Sequence, residues 1–311
     1  MSGPVGAADA ADRPVADGAP DIASARETEV GGLRVRRSLP RPRRRTVGAW
    51  CFVDHFGPLA VGPDGGLDIG PHPHNGLQTV TYLLDGEVLH RDSLGSEQVV
   101  RPGQLNLMSA GRGVAHAEEP TGRLSGGQRQ PPRSGRLHGV QLWVAQPDAT
   151  RAATAAFEHH EQLPQVEVDA VTATVLVGQL GDAASPARQD TPLLGAALDL
   201  RRGGAVLPLV AAYEHLLVVL DGTLLLGDEP LHAGQSAHLA PGRAEVALAA
   251  PDGAQVLLLG GEPFSEPVAM WWNFVGRSKD ELRTARQQWA AGDDRFGPVD
   301  TALARIPAPA L

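Results

Sequence analysis

Two short pairs of metal-ligating side chains stand out in this sequence. His72 and His74 flank a proline, and His116 and Glu118 flank an alanine further along the chain. Side chains at positions i and i+2 of a β-strand point to the same face of the sheet. If the two segments form neighbouring strands, three imidazoles and one carboxylate can reach the same point.

Three nitrogen ligands and one oxygen ligand suit a divalent ion of intermediate softness. Fe(II), Mn(II), Co(II), Ni(II) and Cu(II) all remain open from the residues alone, and an octahedral ion would keep two positions for water, dioxygen or substrate. The competing interpretation is that each histidine is an ordinary structural residue of a strand. Two i, i+2 pairs on either side of a strand–turn–strand segment favour one metal site at His72, His74, His116 and Glu118.

Other candidate residues have weaker patterns. His55 and His90 either orient the metal ligands through hydrogen bonds or are structural histidines. His159 and His160 lie in a polar, helix-like connection, where a surface position is expected. Cys51 is the single cysteine and stands in an apolar stretch, which predicts a buried, unreactive thiol.

Short apolar runs between turn residues predict an all-β architecture. The 311 residues include 37 glycines and 26 prolines, and runs such as 171–177 and 256–259 have the composition of strands. Two runs end alike, in Asp85-Gly86 and in Asp221-Gly222, and we expect a hairpin turn at each glycine. The repetition indicates an internal duplication that forms two β-barrels.

Composition and spacing predict the domain boundaries. We expect a flexible tail (1–28), a first, metal-binding barrel (29–147), a linker (148–164), a second barrel without metal (165–276) and a C-terminal helix with a tail (277–311).

The C-terminal helix has clear end signals. Ser278 and Glu281 have capping-box spacing, Gly292 is a stop signal, and Trp289 is expected to anchor the helix in the core. Residues 120–136 are rich in Gly, Pro, Arg and Gln, so a surface loop is expected directly after Glu118.

The overall charge limits the classes of partner. A formal net charge of −9 argues against direct binding to nucleic acid, and the basic run 41–45 is interpreted as a solvated loop or a set of internal ion pairs. No apolar run reaches the roughly 20 residues needed to span a bilayer, and the N-terminus lacks a signal-peptide pattern. We therefore expect no membrane partner and a cytoplasmic protein.

The motifs resemble the pirin family of the cupin superfamily. The matching strings are RRTVGAWCFVDHFGP (44–58), HPHNGLQTVTYLLDGE (72–87), PGQLNLMSAGRGVAHAEE (102–119), HGVQLWVAQP (138–147) and GGEPFSEPV (260–268). The resemblance covers about residues 33–290. It implies two stacked cupin-type β-barrels and one mononuclear iron in the first barrel, held by His72, His74, His116 and Glu118.

The sequence departs from the family pattern in two places. Typical cupins carry a ligating glutamate four residues after the second histidine, whereas this chain has Gln78, so Glu118 would supply the only carboxylate. The 120–136 loop looks longer than in the family and would partly cover the metal. As is usual in the family, the second barrel is expected to be metal-free, because Glu214, His215 and His238 form no matching pair.

Two alternative functions follow from the resemblance. The first is a quercetin 2,3-dioxygenase-type oxygenase, in which a flavonol binds the metal, Glu118 accepts the proton of its 3-hydroxyl, and dioxygen opens the ring with release of carbon monoxide. The second is a non-enzymatic regulatory protein whose metal or redox state changes a surface that binds a protein partner. A monomer is expected in either case.

Overall fold

The computed structural model describes residues 19–62, 66–123 and 135–310. Up to residue 160, the strands are β1 (Asp21–Ser24), β2 (Arg26–Val30), β3 (Leu33–Leu39), β4 (Trp50–Ala60), β5 (Ile69–His74), β6 (Leu77–Asp85), β7 (Val88–Asp92), β8 (Glu97–Val100), β9 (Leu105–Ser109), β10 (Val114–Glu119), β11 (Arg136–Ala145) and β12 (Ala156–His160). A short 3₁₀ helix spans Thr121–Arg123.

The remaining elements are again mostly strands. They are β13 (Gln165–Val168), β14 (Val171–Val177), β15 (Gln179–Leu180), β16 (Ala183–Ala184), β17 (Leu193–Leu200), β18 (Gly203–Pro208), β19 (Glu214–Leu226), β20 (Glu229–His232), β21 (Gln235–Leu239), β22 (Glu245–Ala250), β23 (Ala254–Gly261), β24 (Ala269–Trp271), β25 (Phe274–Gly276) and the helix α1 (Lys279–Ala291). The expected all-β fold with one C-terminal helix is confirmed.

The N-terminal half consists of two sheets. The larger has the strand order β12-β9-β6-β11-β4-β3-β2, and the smaller has the order β5-β10-β7-β8. Side chains alternate along the larger sheet, so that Val140, Leu142 and Val144 of β11 point away from the smaller sheet while Gln141 and Trp143 point towards it. The space between the two sheets is where the candidate ligands lie.

The C-terminal half is built in the same way around its own apolar core. Strands β1, β21, β19, β23, β17, β14 and β13 follow one another in its main sheet, and β18, β20 and β22 complete the half. The main sheets of the two halves pack against each other through buried aliphatic side chains from both. The prediction of two stacked cupin units is therefore confirmed.

The two Asp-Gly sequences are corners rather than hairpin turns, so that expectation was wrong. Gly86 and Gly222 do adopt positive φ angles of 86° and 77°. At Gly86, however, the chain passes from the larger to the smaller sheet of the N-terminal half. Gly222 lies inside the long strand β19, whose residues up to Gly222 pair with β23 and whose residues from Thr223 onward pair with β20. The equivalent corners support the duplication.

The predicted tail is partly ordered. Residues 1–18 lie outside the described residues, but 21–24 pair with β21 of the C-terminal half and 26–30 pair with β3 of the N-terminal half. Asp21 also forms ion pairs with Arg41 and Arg44, at 3.3 and 3.4 Å. The composition suggested a tail because these strands lack an apolar pattern of their own, and their partners come from distant parts of the chain.

The predicted linker also contains a strand. Residues 156–160 form β12, which pairs with β9, so His159 and His160 lie on a strand and not in a helix-like connection. His159 Nδ1 is 2.7 Å from Asn106 Oδ1. Most of the expected 120–136 loop, residues 124–134, lies outside the described residues.

The C-terminal helix has the predicted ends. Ser278 Oγ accepts a hydrogen bond from the backbone N–H of Glu281, and Gly292 ends the helix with a φ of 73°. Trp289 is buried, as expected, together with Leu282 and Ala285. No helix in the described part of the chain is long and apolar enough to cross a membrane.

Trp50 joins the two halves and provides a test of their packing. Its buried indole N–H donates to the carbonyls of Leu194 and Gly260, at 3.0 and 3.1 Å. We predict that Trp50→Ala lowers the free energy of unfolding by about 3–5 kcal/mol, because a large cavity opens between the halves. Urea unfolding measures the loss, with the exposed Leu94→Ala as control; a change below about 1 kcal/mol for Trp50→Ala would contradict the packing.

Candidate metal centre

The two ligand-bearing segments are neighbouring strands. β10 pairs antiparallel with β5, and His116 lies directly opposite His72. Gly70, two residues before the first histidine, is required by close packing, because a Cβ atom there would lie 2.2 Å from the carbonyl oxygen of Ala304. The geometric premise of the sequence analysis, adjacent strands with i, i+2 ligands, is thus met for the histidines.

The three imidazoles converge. His72, His74 and His116 each offer a nitrogen such that all three nitrogens lie within 4.8 Å of one another. Their ring centroids are 4.3 to 5.1 Å apart. The Nε2 atoms of His74 and His116 are 3.0 Å apart.

Backbone carbonyls determine which nitrogen faces this point in two of the rings. His72 Nδ1 lies 2.9 Å from the carbonyl oxygen of Gly70, and His74 Nδ1 lies 3.1 Å from that of Asn273. A carbonyl only accepts hydrogen bonds, so each Nδ1 carries the proton. Each Nε2 therefore presents a lone pair, which is the form of imidazole that binds a metal.

The spacing of the nitrogens fits one bound ion. Two nitrogens at about 2.1 Å from a metal lie about 3.0 Å apart in adjacent octahedral positions and about 3.4 Å apart in a tetrahedron. The 3.0 Å between His74 Nε2 and His116 Nε2 agrees with adjacent octahedral positions. The residues present thus fit an ion with positions left for exogenous ligands.

Burial keeps the three imidazoles neutral. It lowers the pKa of His72 to about 4 and holds the pKa values of His74 and His116 well below the usual value for histidine. Their lone pairs are therefore available at neutral pH, and a metal would not have to displace protons from these rings.

Glu118 lies in the same cavity but is not one of the three converging groups. A register shift between His116 and Glu118 sets Glu118 opposite Ile69, where regular pairing would place it opposite Gly70. Glu118 is 5% exposed as a residue, and burial raises the pKa of its carboxyl group to about 7 in the metal-free protein. The role of Glu118 as the fourth ligand remains a prediction.

The other candidate polar residues have partners of their own. The Gln78 amide donates to Ser109 Oγ at 2.8 Å, so its side chain is used within the larger sheet. His55 Nε2 lies 2.8 Å from His138 Nε2, away from the ligands, which supports the structural alternative for His55. Cys51 is buried as expected, and burial raises the pKa of its thiol to about 12.

A cavity of about 210 Å³ lies over the ligands. His72, His74 and Glu118 form part of its lining, and Phe52, Trp143 and Trp272 supply aromatic surface. The rings of Phe52 and Trp143 stack with centroids 4.0 Å apart. This combination of apolar walls and a few converging polar groups is typical of a small-molecule site.

Several residues of the site could not be found from the sequence. The carbonyl of Asn273 and the side chain of Trp272 come from the segment before the C-terminal helix, in the region assigned to the second barrel. Arg37 and Asp54 also line the cavity, as a buried ion pair with oxygen–nitrogen distances of 2.7 and 2.6 Å. Nothing in the local sequence links these residues to the histidines.

Comparisons with known proteins agree with this fold and site. Residues 32–144 match the Pirin family, and residues 197–297 match the Pirin C-terminal cupin domain. A pirin-like protein of Caulobacter vibrioides is 37% identical over 286 residues, which cover 90% of this chain and 96% of the relative.

Solved structures are also similar. One quercetin 2,3-dioxygenase from Acinetobacter baumannii has 41% identity and a TM-score of 0.87, with 94% of this chain and 95% of that chain covered. A second, from the same organism, has 27% identity and a TM-score of 0.79 over 88% of this chain and 96% of that chain. The chain belongs to the pirin family of two-domain cupin proteins.

Proposed function

We propose that this pirin is an Fe(II)-dependent dioxygenase that opens flavonols of the quercetin type. The observation that carries the proposal is a cavity beside which three converging imidazoles and the buried Glu118 carboxyl group lie next to aromatic walls. The similarity to a quercetin 2,3-dioxygenase at 41% identity supports the substrate class. Mn(II), Co(II), Ni(II) and Cu(II) are alternatives that the same donor set accepts.

His72, His74, His116 and Glu118 would hold the ion. When bound, it supplies a Lewis acid that lowers the pKa of a coordinated hydroxyl group, as well as the positions at which a substrate can bind.

Glu118 would also move the substrate proton. In metal-free protein, burial raises the pKa of Glu118 to about 7, and a cation bound to the carboxylate would lower it. We assign to Glu118 the acceptance of the proton of the flavonol 3-hydroxyl. The same low-dielectric surroundings that raise its pKa make the free carboxylate a stronger base than one in water.

The cavity walls orient and limit the substrate. Trp143, which stacks on Phe52, provides apolar surface next to His74, whose ring is 5.1 Å from that of Trp143. The volume of about 210 Å³ is below the roughly 300–1,000 Å³ of sites that enclose drug-sized ligands. We therefore place the ring bearing the hydroxyl and carbonyl groups inside, and the remainder at the mouth beside the exposed Glu29 and Asp68.

A single-turnover experiment tests the activity. Protein loaded anaerobically with Fe(II) is mixed with quercetin and then with oxygen, and flavonol absorbance and carbon monoxide are followed. We expect absorbance to be lost with one carbon monoxide released per flavonol. Flavone, which lacks the 3-hydroxyl, should not react, because Glu118 has no acidic proton to accept.

Glu118→Gln is the matched variant, because glutamine keeps the size of the side chain but cannot accept the proton. We expect the rate of flavonol loss to fall by about 10²–10⁴-fold. Iron-loaded protein that releases no carbon monoxide would contradict the proposal. The alternative role as a metal-dependent regulatory protein would then be tested by capture of a partner with Fe(II)-loaded and Fe(III)-loaded protein.

The protonation of Glu118 can be measured separately, through stability. In metal-free protein, the folded state keeps a proton that the unfolded state releases between pH 4.5 and about 7. Since the unfolded state binds fewer protons, this group makes the free energy of unfolding fall as pH rises through that window, by about 3 kcal/mol in total.

Urea unfolding of metal-free wild type and Glu118→Gln across this pH range isolates the contribution. We expect wild type to lose stability relative to the variant as pH rises, with no further relative loss above about pH 7. Parallel stability curves for the two proteins would show that Glu118 titrates normally.

A further inference from the structure

The proton on His116 decides whether this residue can bind a metal. Its Nε2 lies 3.0 Å from His74 Nε2, a distance that suits two ligands of one ion but also suits a hydrogen bond between the rings. If Nε2 carried the proton, His116 would donate to His74 and neither nitrogen could bind the ion. Unlike His72 and His74, His116 has no backbone carbonyl within hydrogen-bond distance of its Nδ1 in the described part of the chain.

A second histidine stands behind His116. His116 Nδ1 faces His90 Nδ1 at 3.4 Å, and His90 Nε2 lies 3.1 Å from Asp92 Oδ2. His90 is buried, and its ring stacks on Phe157, with centroids 4.5 Å apart and an angle of 15° between the planes. Asp92, His90 and His116 therefore form a chain of contacts that reaches the Nδ1 side of His116, away from the converging nitrogens.

Hydrogen bonds fix the orientation of the Asp92 carboxylate, which can act only as a hydrogen-bond acceptor. Its Oδ1 accepts hydrogen bonds from the backbone N–H groups of Leu94 and Ser96, both at 2.9 Å, and its side chain is fully buried. The second oxygen, Oδ2, is thereby directed at His90 Nε2. A carboxylate offers no proton, so His90 must donate from Nε2.

The proton on His90 Nε2 determines where the ring proton of His116 lies. A neutral His90 with its proton on Nε2 has a lone pair on Nδ1, so the facing His116 Nδ1 must be the donor. His116 Nε2 is then left with a lone pair that points towards His72 and His74. We propose that Asp92 and His90 are positioning residues that fix the proton of His116 on Nδ1 and so keep its Nε2 free for the metal.

This inference rests on the proposed metal site but can be tested without turnover. Asp92→Asn keeps the shape of the side chain. Its one oxygen would stay with the N–H groups of Leu94 and Ser96, and its NH₂ group would face His90. His90 would then have to accept at Nε2 and donate from Nδ1, which would move the His116 proton to Nε2.

Ring ¹⁵N spectra of metal-free protein show which nitrogen of a neutral histidine is protonated. We expect His116, assigned by the loss of its signals in His116→Ala, to carry the proton on Nδ1 in wild type and on Nε2 in Asp92→Asn. Titration with Fe(II) under anaerobic conditions should show affinity reduced by about 10–100-fold in Asp92→Asn. An unchanged tautomer, or unchanged affinity, would overturn the proposal.

His90→Phe distinguishes an effect of Asp92 that passes through His90 from an effect of Asp92 on the turn formed by residues 92–96. Phenylalanine keeps the stacking on Phe157 but offers His116 no acceptor, so the His116 proton should again move to Nε2. Adding Asp92→Asn to His90→Phe should cause no further loss of affinity, because the effect passes through the His90 ring. Additive losses would indicate that Asp92 acts on structure alone.

Asp190→Asn is the matched control. Asp190 is half-buried, and its carboxylate accepts hydrogen bonds from Gln146, Thr150 and Arg188, none of which is a proposed ligand. The Asp190→Asn variant should have the same His116 tautomer and the same Fe(II) affinity as wild type. If wild type bound no metal while the tautomer moved as described, the metal site would fail and the positioning role of Asp92 and His90 would stand.

Discussion

Three uncharged imidazoles buried around one point are the constraint on which the rest of the structure depends. Burial keeps the rings neutral, and the carbonyls of Gly70 and Asn273 hold the one ring proton of His72 and of His74 on Nδ1, so that both Nε2 lone pairs point inward. Converging lone pairs in a low-dielectric interior repel each other unless a cation lies between them. The N-terminal cupin half is therefore organised for a ligand that the protein chain itself does not supply.

The C-terminal half and the chain ends support this centre from outside. The second cupin has its own apolar core and packs on the first through their main sheets, so one face of the larger N-terminal sheet is buried against the C-terminal half. The segment Ala269–Gly276 then returns to the first half, where Asn273 holds His74 and Trp272 closes part of the cavity. Stability and site geometry thus depend on both halves together.

The sequence predicted features that are encoded locally. The i, i+2 spacing of His72 and His74 requires only that the segment be a strand, and the helix ends at Ser278 and Gly292 are set by neighbouring residues. Features that depend on distant pairing were missed. The early strand β1 pairs with β21, and the strand β12 completes the sheet beside β9, although neither has an apolar pattern of its own.

The metal site also combines locally encoded features with features that depend on distant parts of the chain. The side chains of the proposed ligands are visible in the sequence, whereas the groups that orient them are backbone carbonyls or belong to remote segments. The register shift before Glu118 is equally invisible, because it arises from how β5 and β10 pair. For this reason the convergence of the three histidines could be predicted from their spacing, while the position of the carboxylate required the fold.

Iron K-edge X-ray absorption of Fe(II)-reconstituted protein tests the central claim most directly. The account predicts one iron per chain, with three imidazole ligands and oxygen ligands completing a six-coordinate shell, and loss of bound iron in His116→Ala. Iron that shows no imidazole scattering, or that His116→Ala binds as wild type does, would contradict it.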